Sequence, residues 1–403
     1  MKKTKYPSAT KASSAVEEPD EELADRLLAL ANSLRESDAY AVLGEAERKT
    51  QADLRKVVRK CLLQQREQVL ADALDYSYEE DAKAHHVLRE NIEDLAGTAL
   101  LHRDDKAALE VNAFVIPLFI HTTGGLNSEQ CFQDEDAFNR LRESIIDSGL
   151  ESRKASVMLV SHAYHPDEIR HIAYCQLNAM VHEATGAMTR KKLVAADAIV
   201  GSMRGWPPSH FAPDDHALEL RFLLGFALKA MDDAFYHVPE KEAAADRYFD
   251  ERAERFRQWS KQATPLLRRC LVTDGRDMQI DFLYQDLFFG GKDAALAEME
   301  VLRLLSEVQG TLELHETGPD EARAIIGPMV LNDESVLRIS LHARSTGTLI
   351  GNVDGPANQA ETMESAIADR ADGLIAIGVR EVQIARAFDS EGLPTGVRAY
   401  SPR

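Results

Sequence analysis

The densest run of side chains capable of chemistry is SHAYHPDEIRHIAYC, residues 161–175. His162, His165, Glu168 and His171 recur at every third position, and Cys175 and His182 lie further along. A helix beginning near Asp167 would put Glu168, His171, Cys175 and His182 roughly on one face, with His162 and His165 at a strand end just above it. Imidazole, carboxylate and thiolate suit zinc, and a catalytic zinc keeps three protein ligands and one water. The chemistry implied is metal-dependent hydrolysis centred on His162, His165, Glu168 and His171. Three considerations oppose it. The tight H-E-x-x-H pattern is absent. The helix must also bury Ile172, Leu177 and Met180, so core packing sets its orientation. A helix N-terminus is partly positive and disfavours a cation. The expectation is therefore that His162, His165 and His171 point to separate environments.

A second candidate is basic. Wound at 100° per residue, the stretch 45–66 gathers Arg48, Lys49, Arg55, Lys56, Arg59, Lys60 and Arg66 in one arc, opposite Leu54, Val57, Val58 and Cys61. Such a face either turns toward the chain's own acidic helices or holds an acidic partner or nucleic acid, as an adaptor would. Other signatures are missing. No G-x-x-x-x-G-K-[ST] loop, no G-x-G-x-x-G after a strand and no G-x-S-x-G elbow occurs, so no cofactor is expected and no enzyme class is indicated. The glycines of STGTLIGNVDGP lack a following lysine and read as a turn region.

Composition narrows the partners. The 403 residues carry 47 basic and 67 acidic side chains, a formal charge of −20, with 44% hydrophobic residues. That charge repels phosphate over most of the surface, which disfavours nucleic acid and anionic lipid. The longest apolar run, Val111–Ile120, is half a membrane span, so no membrane segment is expected. The amino terminus is basic without a following apolar stretch, unlike a signal peptide. Cys61, Cys131, Cys175 and Cys270 are far apart with no CxxC, as in a reducing cytoplasm. A protein partner, or a second copy of the chain, remains.

The elements that must position these groups follow from periodicity. Residues 1–19 lack it and read as a disordered tail. Residues 20–110 read as a helical region: Leu27, Leu30 and Leu34 share a face, 45–73 forms one long helical stretch, and His85–Leu95 forms another that Gly97 stops. A first α/β unit spans 111–238. It holds the strand Val111–Ile120, a helix at Asp134–Ser148, the strand Val157–Ser161, a helix from Pro166 to about Ala184, a loop at 201–216 and the strand LELRFLLGFALKA. A charged connecting helix fills 239–271. A second α/β unit at 272–390 opens with a strand at Met278–Phe289 and follows the ferredoxin-like order β-α-β-β-α-β; 391–403 is a C-terminal tail. The class is α+β. Recurring landmarks, an apolar strand followed by Gly-Gly and later Pro-Asp-Glu-x-Arg, predict that the two α/β units superpose as a duplication.

The order of these landmarks resembles an uncharacterised family of bacterial cytoplasmic proteins of about this length, a domain of unknown function. The likeness rests on LADALD (Leu70–Asp75), AFVIPLFI (Ala113–Ile120), HPDEIR (His165–Arg170), LELRFLLG (Leu218–Gly225), PLLRRCL (Pro265–Leu271) and ARAIIGPM (Ala322–Met329). It covers about residues 21–388 and implies no activity and no site residues. Without a catalytic signature, the reading is a cytoplasmic, non-enzymatic partner- or ligand-binding protein.

Overall fold

A computed structural model describes residues 18–35, 44–101, 108–122, 132, 134–189, 218–271, 278–283, 287–332, 334–356 and 362–402. The expected tail at 1–19 lies outside them except for Glu18 and Pro19, as does all of the loop at 201–216. The class is α+β, with helices first and, among the described residues, two five-stranded sheets and a two-stranded ladder after them.

Helices α1 (Asp20–Leu34), α2 (Glu45–Leu63), α3 (Glu67–Glu80) and α4 (Ala82–Gly97) begin the chain. Each buries an apolar stripe; in α1 it is Leu23, Leu27, Ala31 and Leu34, at spacings of three and four. The single stretch expected over 45–73 is two helices, because Gln65 takes a left-handed φ of 57° and turns the chain. Strands β1 (Thr98–Leu101), β2 (Leu109–Thr122), β3 (Ser156–Tyr164), β4 (Leu218–Ala230) and β5 (Met278–Phe282) form an antiparallel sheet. In it β2 pairs β4 along one edge, while β1 and β5 share the other. Pro117 is tolerated in this central strand because its missing N–H faces that shared edge, beyond the reach of β1, where its carbonyl accepts from Leu283 N–H (3.4 Å).

The sheet is sandwiched. Val111, Ala113, Val115, Leu220, Phe222, Leu224 and Phe226 face α1–α4 and α7 (Tyr174–Thr189) in one continuous core. The boundary expected at residue 110 cuts through that core. The opposite face, with Phe114, Ile116, Leu118 and Leu223, packs on α5 (Glu135–Asp147) and α8 (Glu242–Cys270), where Trp259 is buried. The helix expected from Pro166 to Ala184 is broken into α6 (Pro166–Arg170) and α7, which runs on past Ala184 to Thr189. The new helix start at Tyr174 is capped from outside: the Glu67 carboxylate accepts from Tyr174 N–H (3.1 Å) and Cys175 N–H (2.7 Å).

The second sheet runs β12 (Arg398–Ala399), β9 (Glu381–Ile384), β6 (Ala322–Leu331), β7 (Glu334–Ala343), β8 (Leu349–Pro356). Helices α9 (Phe288–Leu314) and α10 (Met363–Ala376) share its core, and a short ladder β10 (Ala387–Phe388) to β11 (Pro394–Thr395) sits beside it. The expected strand Met278–Phe289 does not open this unit. Only 278–282 is strand, it pairs with β2, and Gly290-Gly291 lie within α9. Its place is taken by β8, which the sequence presents as a Gly-punctuated turn, so the element order is α-β-β-β-α-β. The unit closes with α10 followed by β9 and β10, and residues 394–395 and 398–399, expected within a tail, are paired. The expected duplication fails. The two strands proposed as equivalents are neighbours in one sheet, and Pro319-Asp320-Glu321 is a 3-10 turn entering a strand, whereas Pro166-Asp167-Glu168 opens a helix. At 27 residues, about 40 Å long, α9 links the cores: Phe288 and Phe289 enter the first, Val301–Leu312 the other.

Candidate functional site

The histidine cluster sits where β3 runs into α6. Register slips there: Leu159 faces Gly225 and Ala163 faces Leu223, so β3 bulges and His162 falls in the bulge. His162 Nε2 lies 3.2 Å from both carboxylate oxygens of Glu168. His165 is the N-cap of α6. Its ring Nδ1 accepts from Asp167 N–H (3.2 Å) while its own N–H donates to the Glu168 carboxylate (2.7 Å), which closes a capping box. His171 Nδ1 turns instead to the Asp167 carbonyl. Cys175 Sγ points at the Cys61 carbonyl (3.8 Å).

Burial would raise the Glu168 carboxyl, yet the contacts from His162 and the His165 N–H, with Arg221 nearby, hold it below the usual carboxylate range. Burial, reinforced by Arg221, depresses His165. Arg221 is itself wholly buried on β4 and donates to Glu219 at 2.8 Å. Thus His162 faces Glu168 while His165 and His171 engage the N–H and the carbonyl of Asp167, and both Glu168 oxygens serve the local fold. Among the described residues no group of three or more His, Cys, Asp or Glu is arranged to hold a metal ion. His162, His165, Glu168 and His171 are brought close in the chain but do not form a ligand set.

Thiol and serine chemistry fare no better. Burial pushes Cys61 and Cys175 up and Cys270 up to about 12, so these thiols stay protonated at neutral pH. The contacts Ser77–His85 and Ser340–His342 join residues whose serines are buried, which denies a substrate access.

The basic arc of α2 divides in two. Lys60 pairs with Glu18 (2.6 Å), Arg66 with Asp20 (2.6 Å) and Arg55 with Asp94 (2.7 Å), so these three tie α2 to its own neighbours. Arg48, Lys56 and Arg59 are exposed, and Lys56 and Arg59 make no ion pair among the described residues. Arg59 overlooks a pocket of about 420 Å³ between α2, α4, β1, α7 and the turn after β4. Its wall includes Leu62, Leu95, Ala99 and Asn178, whose amide donates to the Leu95 carbonyl (3.1 Å). His182 of α7 is at the rim. Three large apolar side chains from three different elements surround the mouth: Leu63 is 67% exposed, Met231 47% and Leu100 40%. The pocket's acids are already engaged, Asp94 by Arg55 and Glu110 by Lys229 (3.5 Å). That leaves Arg59, among the described residues, as a cation without an ion pair beside a pocket of mixed apolar and polar wall.

Sequence reasoning singled out Arg55, Arg59 and His182 but not Leu63, Leu100 or Met231. Leu63 carried a usable signal, an apolar residue outside the buried stripe of its helix. Leu100 and Met231 are ordinary by pattern, and only the fold brings them together.

The architecture and site define an α+β protein with two five-stranded sheets that offers a surface pocket and, among the described residues, no metal-ligand set. The chain belongs to the family described as protein of unknown function (DUF2863), whose model matches residues 12–387. Searches of curated proteins and of solved structures found no match. No helix among the described residues is long and apolar enough to cross a membrane.

Proposed function

We propose that this is a non-enzymatic, partner-binding protein of the cytoplasm that takes an apolar, acidic segment of another protein at the α2 pocket. The observation that carries this is that Leu63, Leu100 and Met231, three exposed apolar side chains from three elements, line one pocket beside Arg59. A small ligand would fill the hole and leave those three side chains in water, whereas a protein surface covers both. Exposed apolar clusters rimmed by polar groups are the usual mark of such interfaces, with one anchor in the pocket supplying most of the energy. Arg59 and Lys56 favour an acidic flank on the partner and speed encounter. The wide separation of the cysteines, with Cys61, Cys175 and Cys270 buried and unbridged, supports a reducing compartment.

A photo-crosslinking residue placed at Leu63 in the full chain, in its native cells, tests this. A discrete heavier adduct is expected at Leu63, absent when the same group replaces Leu314, which is 80% exposed and stands at the end of α9 opposite the turn that enters the first core. No adduct at Leu63, or the same adducts at both sites, would sink the proposal. An adduct with a second copy of this chain would replace the foreign partner by a homo-oligomer.

A further inference from the structure

The second sheet holds a crevice that the α2 pocket does not use. Strands β6 and β9 are parallel, and at their carboxyl ends the first turn of α10 approaches the sheet, leaving a space of about 780 Å³. Crevices at the carboxyl ends of parallel strands are where open α/β sheets receive ligands. The floor is apolar, formed by Pro328, Met363, Ile367 and Ile384, and Arg386 and Arg398 stand on the rim.

These two arginines differ from their neighbours. Arg338 grips Asp354 with two hydrogen bonds (2.7 and 2.6 Å), and Arg344 and Arg323 both reach Glu381 (3.6 and 4.0 Å). Among the described residues Arg386 and Arg398 make no ion pair and no side-chain hydrogen bond, although the chain carries 67 acids. Glu364 is the one acid on the wall, and the Tyr400 hydroxyl is committed to Asp372 (2.8 Å). Two like charges lining the same hollow repel one another unless an anion is shared between them. A guanidinium pair binds carboxylate or phosphate in a defined geometry, and the floor beneath would take an apolar body.

We infer that this crevice is a binding site for a small organic anion, a carboxylate or phosphate ester with an apolar body. The acid group lies between Arg386 and Arg398, and the body lies on Met363, Ile367 and Ile384. This site is independent of the α2 pocket.

The test uses the fluorescent dye 8-anilinonaphthalene-1-sulfonate bound to the full chain carrying Leu63→Asp, which removes the α2 pocket as a competing dye site. Octanoate or octyl phosphate should displace the dye, and whichever does so more strongly assigns the head group. Octanol, with the same body and no charge, should be much weaker. Arg386→Ala with Arg398→Ala should weaken displacement by both anions about tenfold or more and leave octanol unchanged. Both positions are exposed, so the fold should persist, as a circular dichroism spectrum would verify. Displacement by octanol as strong as by the anions, no effect of the arginine variants, or no dye binding would each overturn the inference.

Discussion

Replacing Arg221 probes the least obvious feature of the first sheet, a guanidinium with no solvent exposure. Arg221 and Glu219 stand two residues apart on one face of β4, joined at 2.8 Å, and Glu219 is only 6% exposed. Arg221→Met keeps an unbranched side chain of similar length but leaves a buried carboxylate without that counter-charge, and also removes the positive neighbour of Glu168. Breaking a buried pair from one side costs about 3–5 kcal/mol. Replacing both partners, Arg221→Met with Glu219→Leu, removes both desolvation penalties and substitutes apolar contact. The double variant should therefore lie within about 1 kcal/mol of the wild type, or above it. The difference between the double variant and the sum of the singles is then about 3 kcal/mol or more, far outside additivity. Urea denaturation followed by Trp259 emission reads this, because Trp259 is buried in the core on that face of the sheet. A Trp206→Phe background removes the other tryptophan. If Arg221→Met costs under about 1 kcal/mol, or the double variant costs the sum of the singles, the pair is not the coupled unit described here.

Two glycines should respond in opposite directions to alanine. At Gly225 a Cβ would run into the Phe114 ring and stand 2.8 Å from Leu159 Cδ2, for a loss of about 1–3 kcal/mol, whereas at Gly310 it meets nothing within 4 Å inside α9 and should gain about 0.5–1 kcal/mol; the same urea titration would refute this by giving the reverse order. Glu67→Ala removes the carboxylate that caps α7 and should cost about 0.5–2 kcal/mol, with faster amide exchange at Tyr174 and Cys175 as the local readout; unchanged exchange there would contradict the cap. Acid should act through His165, whose depressed pKa means the unfolded chain binds its proton more readily, so stability falls as pH drops below about 6.5. Glu168, depressed likewise, keeps its contribution above the ordinary carboxylate range and loses it only as pH falls further, through its lowered folded value. His165→Asn retains a capping acceptor without the titration, so denaturation midpoints should decline less between pH 7 and 5.5; identical slopes would discount His165.

What the sequence reveals depends on how local the cause is. The amphipathic stripes of α1, α2 and α5 and the doubly buried strands β2 and β4 are legible because their periodicity is set by burial along the element itself. The failures are tertiary. Gly-Gly after residue 289 reads as a strand end, yet α9 absorbs it because Phe288, Phe289 and Ala295 anchor that turn in the first core. LIGNVDGP reads as a turn, but it makes a seven-rung ladder with β7, helped by Gly351 and Gly355, where a Cβ would crowd Thr311 and Leu304 of α9. The break before α7 depends on a carboxylate 107 residues away. At the site, the basic arc of α2 is visible, but its division into structural ion pairs and an Arg59 with no ion pair among the described residues is not, since Glu18, Asp20 and Asp94 meet it only in three dimensions.

The docking claim is tested most directly by the native size of the protein. Size-exclusion of gently lysed native cells, with the chain detected by antibody, should show the wild type eluting ahead of the purified chain run alone. Leu63→Asp with Arg59→Glu should return it to the position of the purified chain, with an unchanged circular dichroism spectrum. Wild type and variant eluting together, whether both large or both at the purified position, would contradict the account.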